Sequence, residues 1–147
     1  MSADSFPHFT EENSKVALVE GDTSYTYSEV NARINRCATG LLGDKSDLEE
    51  ERVAFFLPAS LDYVTVMHGV WRAGGIAVPL NVASAVSELD HYLSCASVTR
   101  LISNGDYLES LRDLCAELNV ELLSVDDVLA DAAGALPEIG LERRAMM

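Results

Sequence analysis

The sequence predicts an α/β fold, with a mainly parallel sheet and helices on both of its faces. Short apolar runs alternate along the 147 residues with helical patterns of about 10 to 16 residues, an order typical of parallel sheets. The runs lack strict apolar–polar alternation, as expected of strands covered on both sides. Right-handed crossovers would connect them. The length suits one domain, so residues 1–147 are predicted to form a single unit.

The first elements are predicted to be a hairpin and a long helix. Residues 15–20 and 23–25 are β-prone runs that flank Gly21-Asp22, a pair typical of a tight turn. Thr26 and Glu29 then have the spacing of a capping box, which marks the start of a helix. Apolar residues recur at helical spacing until Gly43, a residue suited to ending the helix.

The rest of the chain continues as strands and helices in alternation. Pro79 should end the short strand over residues 76–78, because proline cannot donate to a ladder. Residues 87–90 offer a second capping pattern, in which Ser87 would start a helix. Residues 134–147 look irregular until the last few. The other predicted elements are strands over residues 52–57, 98–103 and 120–125, and helices after Ser60, from Asp106 and over 126–133.

Charge argues against two classes of partner. The net charge is −14, from 10 Lys and Arg and 24 Asp and Glu residues. Nucleic acids and anionic membranes both attract clustered basic side chains, so neither is expected to bind. The first residues lack the basic start and apolar run of a signal peptide, and no apolar stretch reaches the ~18 residues of a membrane span. We therefore expect a cytoplasmic protein.

Cysteine and histidine are predicted to be structural. The cysteine count is odd and no C-x-x-C pair occurs, so we expect buried, reduced thiols on the apolar sides of helices. No metal site is predicted, because the histidines look isolated from one another and from the cysteines. The residues concerned are Cys37, Cys95 and Cys115, and His8, His68 and His91.

Several patterns that could carry chemistry have simpler interpretations. Residues 49–51 are three consecutive glutamates, interpreted as a solvated loop face. His68 lies among apolar helix positions and is interpreted as a residue that packs against its neighbours or lies on the surface. Asp106 opens a helix, where a carboxylate stabilises the helix dipole.

Three motifs that would indicate a phosphate-binding loop or a hydrolase are absent from the sequence. Neither G-x-G-x-x-G, G-x-x-x-x-G-K-[ST] nor G-x-S-x-G occurs. Gly74-Gly75 follows a helix and precedes a strand, which is the wrong end for cradling phosphate. A receiver-like signalling domain is disfavoured, since the strand that ends at Leu57 is followed by Pro-Ala-Ser and no acidic acceptor.

Two stretches nevertheless resemble motifs of the adenylate-forming enzymes. Residues 25–30 (YTYSEV) resemble the start of that superfamily's first helix, and residues 71–81 (WRAGGIAVPLN) resemble its second core motif. Residues 52–58, Tyr63-Val64 and Glu88-Leu89 also fit, so the ordered similarity spans most of residues 15–125. The chain is most similar to AMP-forming acyl-CoA synthetases. The residues of its second motif resemble those found in malonyl-CoA synthetase-like members.

The resemblance implies a two-step reaction for a longer parent enzyme. A carboxylate would attack the α-phosphate of ATP, and the thiol of CoA would then displace AMP; Mg²⁺ would balance the phosphate charge. Residues 142–147 look like the approach to the strand before the family's phosphate loop. The chain is thus expected to be the N-terminal subdomain, truncated before that loop. It would be inactive alone, with no catalytic residue and no ATP, Mg²⁺ or CoA bound by itself.

The resemblance also suggests, more weakly, a role for the loop after the second motif. In some relatives this loop touches CoA phosphates through a basic residue, but residues 81–85 (NVASA) contain no Lys or Arg. Asn81, Val82 and Ala83 are therefore only weak candidates for contact with CoA. The remainder of the enzyme is the expected partner, and exposed apolar surface should produce a homodimer in isolation. The alternative is a non-catalytic binding or oligomerisation module derived from this fold.

Overall fold

The computed structural model describes residues 14–130 and 133–147. A four-stranded parallel sheet has the strand order β4-β3-β5-β6, and a separate antiparallel pair consists of β1 and β2. The strands are β1 Val16–Glu20, β2 Thr23–Thr26, β3 Arg52–Phe56, β4 Ile76–Leu80, β5 Arg100–Ser103 and β6 Glu121–Ser124. The helices are α1 Tyr27–Leu42, α2 Leu61–Arg72, α3 Val86–Cys95, α4 Asp106–Glu117 and α5 Val125–Val128.

Helices cover both faces of the sheet, as the sequence predicts. Successive side chains of a strand point to opposite faces. Accordingly, Val53 and Phe55 pack with apolar residues of α1 and α2, whereas Ala54 and Phe56 pack with those of α3 and α4. This double burial explains why the run over residues 52–57 shows no alternation.

The predicted hairpin and first helix are both confirmed. The backbone N–H of Glu29 donates to Thr26 Oγ1 at 3.2 Å, and the N–H of Thr26 donates to Glu29 Oε2 at 2.8 Å. Gly43 ends the helix with φ 54°, a conformation that favours glycine. Val30 and Ile34 of α1 pack with residues of the hairpin, so the two elements form one corner of the molecule.

The prediction that Pro79 ends its strand is wrong. β4 continues to Leu80, and Pro79 pairs with Phe55 in the parallel register. The N–H of Ala77 points away from β3, because it donates to Ala145 O at 2.8 Å on the outer side. Along a strand, the backbone N–H groups of every second residue point to the same side. The position where Pro79 lacks an N–H therefore also lies on that outer side. The ladder with β3 therefore loses no hydrogen bond.

Two further element boundaries need correction. The cap of α3 is Ala85 rather than a residue of the 87–90 pattern, and the Ala85 N–H donates to Glu88 Oε2 at 2.9 Å. Ser87 lies inside the first turn. The predicted helix over 126–133 is a single turn, Val125–Val128; residues 131 and 132 lie outside the described part of the chain.

The loop before β3 is not the solvated acidic face that was predicted. Leu48 is 4% exposed, and the Glu51 side chain is 14% exposed because it pairs with Arg100 (2.6 Å) and Lys45 (3.2 Å). Burial opposes ionisation of Glu51, but these two cations outweigh it and lower the pKa of the carboxyl. Only Glu49 of the three glutamates is fully exposed.

Candidate functional site at the carboxyl edge of the sheet

All four strands of the parallel sheet end at the same edge, where ligands bind in open α/β sheets. One groove lies there, and a second extends from it along β4 towards the amino edge of the sheet. The β3–β4 groove, of about 380 Å³, lies between the loops after those strands, and the β4–α3 groove, of about 460 Å³, lies beside helix α3. Pro79, Leu80 and Asn81 line both grooves. The second core motif thus ends at the boundary between the two grooves.

The structure places the weak candidates for CoA contact in the loop between the grooves. Asn81 and Val82 line the β3–β4 groove, whereas Ala83 lines neither. Asn81 Oδ1 accepts a hydrogen bond from the Ala83 N–H, and its carbonyl accepts one from the Ser84 N–H, both at 2.9 Å. The asparagine side chain is therefore used to shape the turn, as is common for this residue.

The lining of the grooves does not suit phosphate. Apolar side chains dominate both grooves, and their polar groups are Asn81, Ser84, Tyr63, Tyr92 and Cys95. None of these carries a positive charge, and neither groove includes a glycine-rich loop whose N–H groups could surround an anion. ATP, Mg²⁺ or CoA phosphates would have to be held by groups other than these lining residues.

A polar cluster fixes the same edge of the sheet. Asp62, in the first turn of α2, receives 2.9 Å hydrogen bonds from Arg33 on one carboxylate oxygen and from Asn104 on the other. Ser103 Oγ donates to the Phe56 carbonyl at 2.6 Å. Both oxygens of Asp62 are engaged, so it joins α1, α2 and the end of β5. No local pattern in the sequence reveals this cluster, because its members are separated by 29 and 42 residues.

One cysteine differs from the prediction. Cys37 and Cys115 are buried, but Cys95 is exposed and lines the β4–α3 groove. The buried stripe of α3 passes through Leu89 and Leu93, and a residue two positions after Leu93 falls on the other side of the helix. Cys95 Sγ lies 3.7 Å from both ring nitrogens of His91. Their i, i+4 spacing was the available sequence signal.

The remaining candidates behave as structural groups. His68 is half-buried and contacts Trp71 edge-to-face, with ring centroids 4.9 Å apart. Burial and the charge of Arg72 lower the pKa of His68 to about 4, so its ring is neutral near pH 7. Asp106 opens α4, as predicted. Within residues 14–130 and 133–147, no three His, Cys, Asp or Glu side chains are grouped to hold a metal ion.

The final segment of the chain packs against the outer edge of β4. Arg143 forms a bidentate ion pair with Asp47, with N–O distances of 2.8 and 3.0 Å. The Trp71 indole N–H donates to the Ala145 carbonyl at 2.5 Å. Met146 pairs in parallel with Ala77. These contacts could not be predicted from the sequence, since nothing local connects Asp47 to a residue 96 positions away.

The parallel sheet, with helices on both faces and a groove at its carboxyl edge, defines the class of protein: an open α/β fold of the kind that binds ligands at this edge. The family model described as "AMP-binding enzyme" matches residues 8–143. The chain therefore belongs to the AMP-binding enzyme family.

Relatives and solved structures agree with this assignment. The chain is 32% identical over 140 residues to a feruloyl-CoA synthase of an Amycolatopsis species, covering 92% of this chain and 27% of that protein. It is 29% identical over 125 residues to the human protein "Malonate--CoA ligase ACSF3, mitochondrial", covering 81% of this chain and 21% of that protein. The chain thus spans about a quarter of these relatives' length.

Two crystal structures have the same fold. Apo MatB from Rhodopseudomonas palustris superposes with a TM-score of 0.73 at 22% identity, covering 84% of this chain and 26% of MatB. The N-terminal domain of FACL13 from Mycobacterium tuberculosis gives a TM-score of 0.72 at 27% identity, covering 86% of this chain and 34% of that one. None of the helices in the described part of the chain is long and apolar enough to cross a bilayer.

Proposed function

We propose that this chain is part of an acyl-CoA synthetase, in which a carboxylic acid attacks the α-phosphate of ATP. The products of this step are an acyl-adenylate and pyrophosphate, and the thiol of CoA then displaces AMP. The observation that carries the proposal is the alignment of a feruloyl-CoA synthase with 92% of the chain and of a malonate–CoA ligase with 81% of it. Membership of the AMP-binding family supports the first of the two steps.

The chain by itself is proposed to be inactive. The groove lining offers no cation or glycine-rich loop for phosphate, so ATP, Mg²⁺ and CoA would depend on groups elsewhere in a longer enzyme. The direction of the final segment supports this division, because residues 145–147 run parallel to β4 towards the carboxyl edge of the sheet. In the family that the sequence resembles, the phosphate loop follows a short apolar strand.

The experiment compares the chain alone with the chain joined to whatever follows it in its gene. ATP–pyrophosphate exchange is measured with malonate and ferulate, the acids named by the two relatives. We expect exchange only in the longer protein, with at least one acid, and thioester formation when CoA is added. Exchange by the 147-residue chain would overturn the claim of inactivity. A gene that stops after Met147 would instead favour the non-catalytic module.

We also propose that the isolated chain forms a homodimer through the β4–α3 side. Tyr92 and Met147 line this groove and are 44% and 57% exposed, and Val86 on α3 is 54% exposed. A second copy would remove this apolar surface from water. Light scattering should give the mass of a dimer, and a monomer at high concentration would contradict the proposal. We propose the cytoplasm as the compartment of this protein. Because one relative is named as mitochondrial, cell fractionation should test whether the protein is found in the cytoplasm or in mitochondria.

A further inference from the structure

Other parts of the chain come very close to the two glycines of the second core motif, Gly74 and Gly75. Gly74 has φ +90°, and a Cβ atom there would stand 2.2 Å from Asp47 Oδ1 and 3.0 Å from an Arg143 guanidinium nitrogen. A Cβ on Gly75 would stand 2.9 Å from Val70 Cγ1 and 3.0 Å from the Glu51 carbonyl. The turn after α2 is therefore open enough for the 47–51 loop and for Arg143 to approach its backbone.

This turn and loop hold Arg143 through several hydrogen bonds. Besides its two bonds to Asp47, Arg143 donates to the Gly74 carbonyl at 3.1 Å. The loop is itself attached to the turn, since the N–H groups of Leu48 and Glu50 donate to the carbonyls of Ala73 and Gly74. Asp47 and Arg143 have side chains that are 25% and 23% exposed, so solvent screens the pair only in part.

The backbone after Arg143 is held by β4 and by the only tryptophan of the chain. The Ala145 carbonyl accepts from the Trp71 indole and from the Ala77 N–H, and the Met147 N–H donates to the Ala77 carbonyl at 3.0 Å. The two bonds made by the backbone of Ala77 have the pattern of a parallel β-ladder. They fix both the direction and the register of the segment as it runs along β4.

We propose that Asp47, Trp71 and Gly74 form a seat for the segment Arg143–Met147, and that Arg143 is a positioning residue for nucleotide binding. This rests on the proposed function, in which the segment leads towards the phosphate loop. The seat determines where that loop begins relative to the carboxyl edge of the sheet. A loop that is already held in its bound position loses less conformational freedom on binding, so loss of the seat should weaken ATP binding.

The first test uses the 147-residue chain and follows the single indole N–H of Trp71 by NMR hydrogen exchange. Arg143→Ala should accelerate exchange by about 10- to 100-fold, because charge-assisted hydrogen bonds are lost. Arg144→Ala is the matched control, since its side chain is 72% exposed and forms only a long 4.0 Å ion pair with Glu50, while its backbone N–H bond to Glu50 remains in the variant. Unchanged far-UV circular dichroism confirms that both variants fold. Equal indole exchange in both variants would overturn the seat.

The second test uses the longer gene product and separates positioning from stability. Arg143→Ala should raise the KM for ATP about tenfold or more and change the KM for the acid less than about twofold, with partial rescue by Arg143→Lys. An unchanged KM for ATP would overturn the positioning role. If the unsubstituted protein activates no acid, the proposed function fails, while the indole measurement still decides whether the seat exists.

Discussion

Cys37 Sγ in α1 lies 2.4 Å from the point where a Cβ atom on Gly69 of α2 would stand, and Cys37 Cβ lies 2.8 Å from it. The two helices therefore cross with almost no space between their backbones. Cys37 is completely buried here, and this burial raises the pKa of its thiol to about 12. Small residues at both positions allow the helices to cover one face of the sheet together.

Gly69→Ala should lower the free energy of unfolding by about 1–3 kcal/mol, because the added methyl group overpacks the crossing. Helix propensity alone would favour alanine by about 1 kcal/mol, so the sign of the change is informative. Gly134→Ala is the control, since its Cβ would meet only Thr39 Cγ2, at 3.6 Å. Chemical denaturation measures both variants; a Gly69→Ala protein as stable as the parent would contradict the close crossing.

Glu51→Gln should destabilise the fold by about 1–3 kcal/mol near pH 7, because it removes the charge that pairs with Arg100 and Lys45. The folded-state pKa of Glu51 is lowered from its ordinary value of 4.5. The stability from this group is therefore present above about pH 4.5 and is lost as the pH falls through the folded-state pKa.

The pH dependence of Glu51→Gln is measured by urea unfolding from pH 7 to pH 3. The difference from the parent protein should shrink on acidification. Glu49→Gln, at an exposed position in the same loop, serves as control and should change the stability little at any pH. A Glu51→Gln effect that persists unchanged at pH 3 would show that the ion pairs do not cause it.

Thr26→Ala should cost about 0.5–2 kcal/mol of stability, because it removes the side-chain cap of α1. Ser87→Ala should be neutral within about 0.5 kcal/mol, since Ser87 lies beyond the cap of α3. Ala85→Ser should instead stabilise by about 1 kcal/mol, as it supplies an oxygen where the cap has none. Thermal unfolding distinguishes these cases. A large loss of stability in Ser87→Ala would show that Ser87 caps α3, as the sequence predicts, and would contradict the cap at Ala85.

Thiol titration of the native protein, diluted until it is monomeric, should modify Cys95 rapidly and leave the other two cysteines unmodified. Cys95 is exposed, whereas burial raises the pKa of both Cys37 and Cys115. At pH 8 a thiol with a pKa of about 12 has roughly one molecule in ten thousand as the reactive thiolate. Cys95→Ser should abolish the fast phase, and all three thiols should react in denaturant. Rapid modification in Cys95→Ser would contradict this assignment.

Local patterns predicted most of the secondary structure and the fold class correctly. Thr26 with Glu29, Ser60 and Gly43 marked helix ends, because caps depend on residues within one turn. The start of α3 was placed two residues too late within the same local pattern, whereas the boundary at Pro79 was wrong because longer-range geometry decided it. Pro79 fits within β4 because its missing N–H lies on the outer side of the strand, away from β3, and no pattern within residues 76–80 reveals which side that is.

The sequence by itself determined the parallel α/β sheet, the helix caps and the resemblance to adenylate-forming enzymes, since periodicity and ordered motifs are properties of neighbouring residues. Only the tertiary structure decided which polar groups meet: Asp47 with Arg143, Glu51 with Arg100, and Asp62 with Arg33 and Asn104. Such pairs form because the packing of the helices and loops brings distant residues within hydrogen-bond reach. Their charges are visible in the sequence, but their separation in space is not.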